Sequence, residues 1–149
     1  ITPEDIKWIR DNWDGAVMVK GVQALEDAQI LADLGVDAIV LSNHGGRQID
    51  KGNVPLELLP SVVEAVGDRT EVYIDGGIMS GTDIVAALAL GATGTLVGRA
   101  YLYGLMAGGQ DGVQRVLDIL SKEIKTTLQL MGVTSVDQLD RSMARLRPY

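Results

Sequence analysis

The chain has 149 residues, enough for one domain with a real core and too few for two ordinary ones. Its 46% hydrophobic and 22% charged residues have the balance of a globular domain, and its 18 glycines sit at the ends of apolar runs with no collagen-like period. A net charge of −7 without a basic face argues against nucleic acid, the lack of Cys removes any disulfide framework or thiolate metal site, and no apolar run approaches the roughly 20 residues of a membrane helix.

Thr2-Pro3-Glu4-Asp5 reads as a helix start, with Thr2 as N-cap, Pro3 in the first turn and acids near the positive end, and the helix is expected to run to about Trp13. The opening ITPEDIKW has no initiator Met and neither the charged nor the apolar region of a signal peptide, so the sequence is expected to be cut from something longer. AVMVKGV (16–22) reads as a buried strand, and Ala24 to Leu34 as a helix with Leu25, Ala28, Leu31 and Ala32 on one face. DAIVLSNHGG (37–46) reads as a second buried strand entering a polar, glycine-rich loop, followed by a helix from about Leu56 to Val66. EVYIDGG (71–77) is the third expected strand, Thr82 to Leu90 the next helix, and TGTLVGRA (93–100) the fourth strand. A short helical turn, a long helix from about Gly112 to Met131 and a final helix from about Ser135 to Arg145 complete the expectation, with the locally basic RSMARLRPY read as a solvated helix end.

Strands that alternate with helices point to parallel βαβ units. LGVDAIVL (34–41) and LGATGTLV (90–97) repeat one device, a helix end, a glycine turn and a strand. Measured at Val17, Ile39, Val72 and Leu96, the strand spacings are 22, 33 and 24 residues, the pitch of a (β/α) barrel unit. A doubly wound sheet also fits that pitch. The polar residues favour the barrel, because every strand ends in one: Lys20-Gly21, Ser42 to Arg47, Asp75-Gly76-Gly77 and Gly98-Arg99. The strand ends of a barrel share one face, where its sites lie, whereas burying such groups unpaired in a core costs several kcal/mol.

Each of these residues has a plain alternative. Lys20 is either a cation beside a cofactor that becomes anionic or a lysine snorkelling to solvent. His44, the one histidine, suits a general base, although a lone histidine is more often structural. Arg47 offers a planar fork matched to a carboxylate, or is a surface-loop arginine. Asp75 suits an acceptor for cofactor hydroxyls. Gly76, Gly77 and Gly98 let backbone N–H groups approach a ligand, and Arg99 adds positive charge where barrels commonly bind phosphate.

The blocks SNHGGRQID (42–50), IDGGIMSGTD (74–83), ALALGATGTLVGRAYLYGL (87–105) and the LMGVTSVDQL tail together resemble the FMN-dependent 2-hydroxy-acid oxidase and dehydrogenase family, over essentially the whole chain. The resemblance implies an α/β fold, the second half (strands 5–8) of a TIM (β/α)8 barrel, with residues 1–149 forming the C-terminal half of an FMN hydroxy-acid dehydrogenase domain. It implies FMN as cofactor and a 2-hydroxy acid as substrate, with IMSG and VGRAYLYGLMAGG closest to the actinobacterial-type L-lactate dehydrogenase branch.

Carried over by position, His44 resembles the family's base, Arg47 its carboxylate grip, and Lys20 the lysine at the flavin edge. Ser42 matches a serine of the flavin shell, and Asp75 the aspartate on the ribityl hydroxyls. Gly76, Gly77, Ile78 and Met79, with Gly98 and Arg99, match the phosphate segments. Met79 departs from the pattern, since many members carry an arginine there. The family's N-terminal half has no counterpart in the sequence. The resemblance further implies a homo-oligomer, commonly a tetramer, in the cytoplasm or peripheral at the inner membrane, and no metal. Two rivals stand beside it: a non-catalytic half-barrel binding at most FMN or phosphate, and another FMN barrel enzyme such as a type II isopentenyl diphosphate isomerase or an IMP-dehydrogenase-like reductase.

Overall fold

Thr2 opens the first helix, α1 (Pro3–Asn12), through a capping box with Asp5, and its N–H and hydroxyl hold the Asp5 carboxyl below its ordinary pKa. A computed structural model describes residues 1–146. Parallel strands β1 (Met18–Val22), β2 (Ala38–Leu41), β3 (Glu71–Ile74) and β4 (Gly94–Thr95) follow in sequence order across one sheet. The connecting helices are α2 (Leu25–Asp33), α3 (Pro55–Val66) and α4 (Gly81–Ala89), and α5 (Arg99–Met131) closes the series. Four βα units in this order make half of a (β/α)8 barrel.

Register divides the sheet into two faces. The pairs Val19↔Ile39↔Val72 and Leu41↔Ile74 join one hydrophobic cluster with Ala28, Leu31, Leu59, Val62 and Val66 of the covering helices. The alternate residues Met18, Lys20, Val40, Tyr73 and Asp75 face the other side, where Met18 and Lys20 on the edge strand are exposed and Val40 at the centre is buried. The repeated glycine device is realised twice. Gly35 (φ 73) and Gly91 (φ 103) end α2 and α4 in left-handed backbone, with Val36 N–H donating to the Leu31 carbonyl and Ala92 N–H to that of Ala87.

Four expectations need correction. The first strand is not buried throughout: Val17 and Val22 are, but Met18 and Lys20 stand exposed because β1 is an edge and its inner face is open. The fourth strand is confined to Gly94–Thr95, with Thr93 and Leu96 still donating to β3, because nothing pairs its far side. The short turn expected after it is a helical arm of α5 beginning at Arg99, broken from the long arm by non-helical backbone at Gly108 and Gly109. The expected helix from Ser135 to Arg145 is two 3-10 turns, Val136–Gln138 and Arg141–Met143, since Ser135 and Asp140 each cap a single turn. The end of the basic RSMARLRPY segment, 147–149, lies outside the described residues.

Among the described residues neither edge strand pairs on its outer side, and Met18, Leu105 and Met106 are exposed. Unpaired edges and an uncovered apolar face drive association. The 149 residues expressed alone should therefore form dimers or larger species by size-exclusion chromatography with light scattering, where a soluble monomer would contradict the expectation.

Candidate active site

Between the C-terminal ends of the strands lies an open cleft of about 440 Å³. Lys20, His44, Arg47, Asp75, Gly76, Gly77, Ile78, Met79, Gly98 and Arg99 line it, so ten of the eleven residues singled out from sequence converge there. Ser42 is the exception. It is wholly buried and does not line the cleft; its hydroxyl oxygen accepts from Lys20 Nζ (2.9 Å) and from the His44 backbone N–H (3.1 Å). Ser42 thus ties the end of β1 to the loop after β2. Sequence reasoning did not single out Gly45, Leu96 and Leu102, which complete the lining. Leu96 and Leu102 sit among apolar runs that carry no chemical signature.

Lys20 also forms an ion pair with Asp75, Nζ to Oδ2 at 2.6 Å. The other carboxylate oxygen of Asp75, Oδ1, is buried with no hydrogen-bond partner among the described residues. An unmet buried acceptor costs about 1–3 kcal/mol, so this oxygen suits a ligand hydroxyl. The Asn43 side-chain oxygen is buried and unmet as well, and lies beside Gly76, where an added Cβ would be 3.3 Å from it.

His44 is the one residue other than glycine at positive φ (56°) among the described residues, and Gly45 and Gly46 continue in left-handed backbone. The short 3-10 turn His44–Gly46 carries the imidazole and Arg47 to the cleft together. Gly76 (φ 86) and Gly77 (φ 85) shape the loop after β3 in the same way.

Charge is arranged for an anion. Three cationic side chains, Lys20, Arg47 and Arg99, face the cleft against the single carboxylate of Asp75, in a chain whose net charge is −7. Neither Arg47 nor Arg99 has an acidic partner among the described residues. Helices α1, α2, α3 and α4 all carry acids in their first turns, and α5 carries none. Its N-cap is Gly98, without a capping side chain, and its first residue is Arg99. A cation at the positive end of a helix opposes the dipole, and an anion bound there relieves the conflict. The N–H groups of Met79 and Ser80, in contrast, already donate to Asp83 Oδ2 at 3.0 and 2.8 Å, so Met79 brings no free backbone donor to the cleft. The unmet Asp75 oxygen, the open glycine backbone and the cationic helix end fit the hydroxyls and phosphate of FMN.

Comparison with known proteins gives the same direction. A family model described as FMN-dependent dehydrogenase matches residues 1–146. A putative L-lactate dehydrogenase of Mycobacterium tuberculosis is 54% identical over 148 residues, covering 99% of this chain and 36% of that protein. An L-lactate dehydrogenase of a Caulobacter species is 51% identical, covering 94% of this chain and 37% of its own length. A pre-mycofactocin synthase of Mycolicibacterium smegmatis is 50% identical, covering 93% and 35%. Among solved structures, the monotopic membrane protein (S)-mandelate dehydrogenase superposes with a TM-score of 0.91 at 43% identity, over 95% of this chain and 38% of that one. The chain thus spans little more than a third of the length of the relatives it matches. Matched by its family model along all the described residues, the chain belongs to the FMN-dependent dehydrogenases.

Proposed function

We propose that residues 1–149 form the C-terminal half of a catalytic domain that oxidises an L-2-hydroxy acid, L-lactate to pyruvate, with FMN. The single observation that carries this reading is the convergence of His44 and Arg47 on a cleft whose remaining cations, Lys20 and Arg99, flank an unmet Asp75 oxygen. Arg47 holds the substrate carboxylate through paired guanidinium donors. His44 accepts the proton of the hydroxyl. FMN, when bound, supplies the two-electron acceptor. Lys20, steadied by Ser42 and Asp75, presents positive charge to the cofactor; Asp75 accepts from its hydroxyls; Gly76, Gly77, Ile78, Gly98 and Arg99 receive its phosphate. Lactate as substrate is supported by two of the relatives' names. A homo-oligomer belongs to the same proposal, as does a place in the cytoplasm or peripheral at the inner membrane, the peripheral location being supported by the monotopic mandelate dehydrogenase neighbour.

A steady-state assay of the full-length protein with L-lactate, (S)-mandelate and glycolate tests the reading. Turnover of L-lactate with the highest kcat/KM supports it, and turnover of none of the three overturns it. For the 149 residues alone a second reading is favoured by the unpaired edge strands and the exposed side chains of β1: a half-barrel that binds FMN weakly at most and has no turnover.

Met79 probes the phosphate end. Its side chain is 46% exposed at the cleft, and no cation other than Arg99 lies on the adjoining segments. Met79→Arg should tighten FMN or leave its Kd unchanged in a flavin fluorescence titration. Loss of flavin would mean that the thioether fills an apolar contact there.

A further inference from the structure

We infer that Gly21 is a positioning residue for the His44 imidazole, an inference that rests on His44 being the base. Lys20 pairs with Val40 and Val22 with Leu41, so β1 carries one extra residue at this point, and that residue is Gly21 at φ 99°. The resulting bulge swings the end of β1 toward the loop after β2. A Cβ built on Gly21 would stand 2.9 Å from His44 Cε1, 3.7 Å from Nε2 and 3.8 Å from Nδ1. The ring therefore lies directly against the Gly21 backbone, in space that any side chain would occupy.

The backbone that carries the imidazole is fixed: it sits at φ 56°, its main-chain N–H donates to the buried Ser42 hydroxyl at 3.1 Å, and the Arg47 N–H closes the turn on the His44 carbonyl at 3.4 Å, so the ring yields only by rotating its side-chain torsions away from this pose. One wall of the base is thus the bare Cα of Gly21, and the other constraint is the Ser42 anchor. The same strand end delivers Lys20 one residue earlier, and Lys20 reaches the same Ser42 oxygen. The three atoms nearest a Cβ on Gly21 nevertheless all belong to the His44 ring, so the base and not the cation meets the added methyl group. A general base has to lie within about 2.6–3.2 Å of the proton it takes, and a misplacement of about 1 Å costs on the order of 10²-fold in rate. A methyl group on residue 21 would impose a displacement approaching that size.

Backbone strain alone would confuse the test, because alanine at φ 99° is strained wherever it sits. Gly35 supplies the control. It also has positive φ (73°), an added Cβ there meets nothing within 4 Å, and it lies at the far end of α2, outside the cleft. In the full-length protein, Gly21→Ala should lower kcat on the order of 10–10²-fold, with KM for L-lactate nearly unchanged and FMN stoichiometry intact. Gly35→Ala should lower Tm comparably and keep kcat. Added to His44→Gln, Gly21→Ala should cost nothing further, because its whole effect runs through the imidazole. If Gly21→Ala folds poorly, Gly21→Asn, which tolerates left-handed backbone and still carries a Cβ, takes its place in all three comparisons. A kcat equal to that of Gly35→Ala, or full additivity with His44→Gln, overturns the inference. If His44→Gln itself keeps its rate, the assignment of the base fails instead.

Discussion

His44→Gln in the full-length protein should keep its flavin and lose on the order of 10²–10⁴-fold in kcat with L-lactate, the usual cost of removing a positioned general base. The two halves of this result have separate causes. His44 lines the cleft, whereas the groups suited to the cofactor's hydroxyls and phosphate, Asp75, Gly98 and Arg99, are untouched by the change. His44→Asn is the useful companion, because asparagine tolerates the left-handed backbone (φ 56°) that this position adopts, and any loss in it reflects chemistry and not strain. Near-wild-type kcat in both variants would remove His44 from the base role.

Arg47→Lys should be nearly as damaging, despite preserving the charge. Lysine is a point charge on a flexible stem and cannot offer the two parallel donors that a carboxylate accepts. Arg47 has no acidic partner among the described residues, so its guanidinium is available to a ligand and is not consumed in an ion pair. KM for L-lactate should rise and kcat should fall together, the latter by up to about 10²-fold, because a loosely gripped substrate also misplaces its hydroxyl relative to His44. Steady-state kinetics decide the matter, and an unchanged KM would mean that the carboxylate is bound elsewhere.

The framework of the fold was legible because it is written in local chemistry. Thr2 with Asp5 marks the start of α1, and the glycines after α2 and α4 mark their ends. The start of α4 is equally readable, one residue before the Thr82 expected: Ser80 and Asp83 form a capping box whose spacing is plain in the sequence. The Ser135 signal misled in the opposite sense. The same kind of cap closes only one turn there, since Leu139 returns to extended backbone and Asp140 begins another.

Within the site, charged and polar strand tips could be found because their chemistry is costly anywhere else, and the residues that aim them could not. Ser42 was read as touching the cofactor, yet it is buried behind Lys20 and His44 and binds both. That role depends on which way a strand-end side chain points and on what stands in front of it. An isolated glycine inside a strand pattern does hint at a bulge, but not at what lies against it. Arg99 is legible as a strand-tip cation, but its place at a helix N-terminus is not: four first turns carry acids and this one does not, a contrast that requires knowing that α5 begins at residue 99 and not at 112. Substrate identity is barely encoded in these residues. Relatives named for L-lactate and for pre-mycofactocin match the segment at 54% and 50% identity, so overall similarity of the segment does not tell the two apart.

Anaerobic addition of L-lactate to the purified full-length protein, followed by visible absorption, asks at once whether this cleft holds FMN and presents a 2-hydroxy acid to His44 and Arg47. The expected result is a yellow protein whose flavin band bleaches on mixing, and a His44→Gln variant that is equally yellow and does not bleach. A protein that takes up no FMN, or a flavin that no 2-hydroxy acid reduces, would overturn the proposed function.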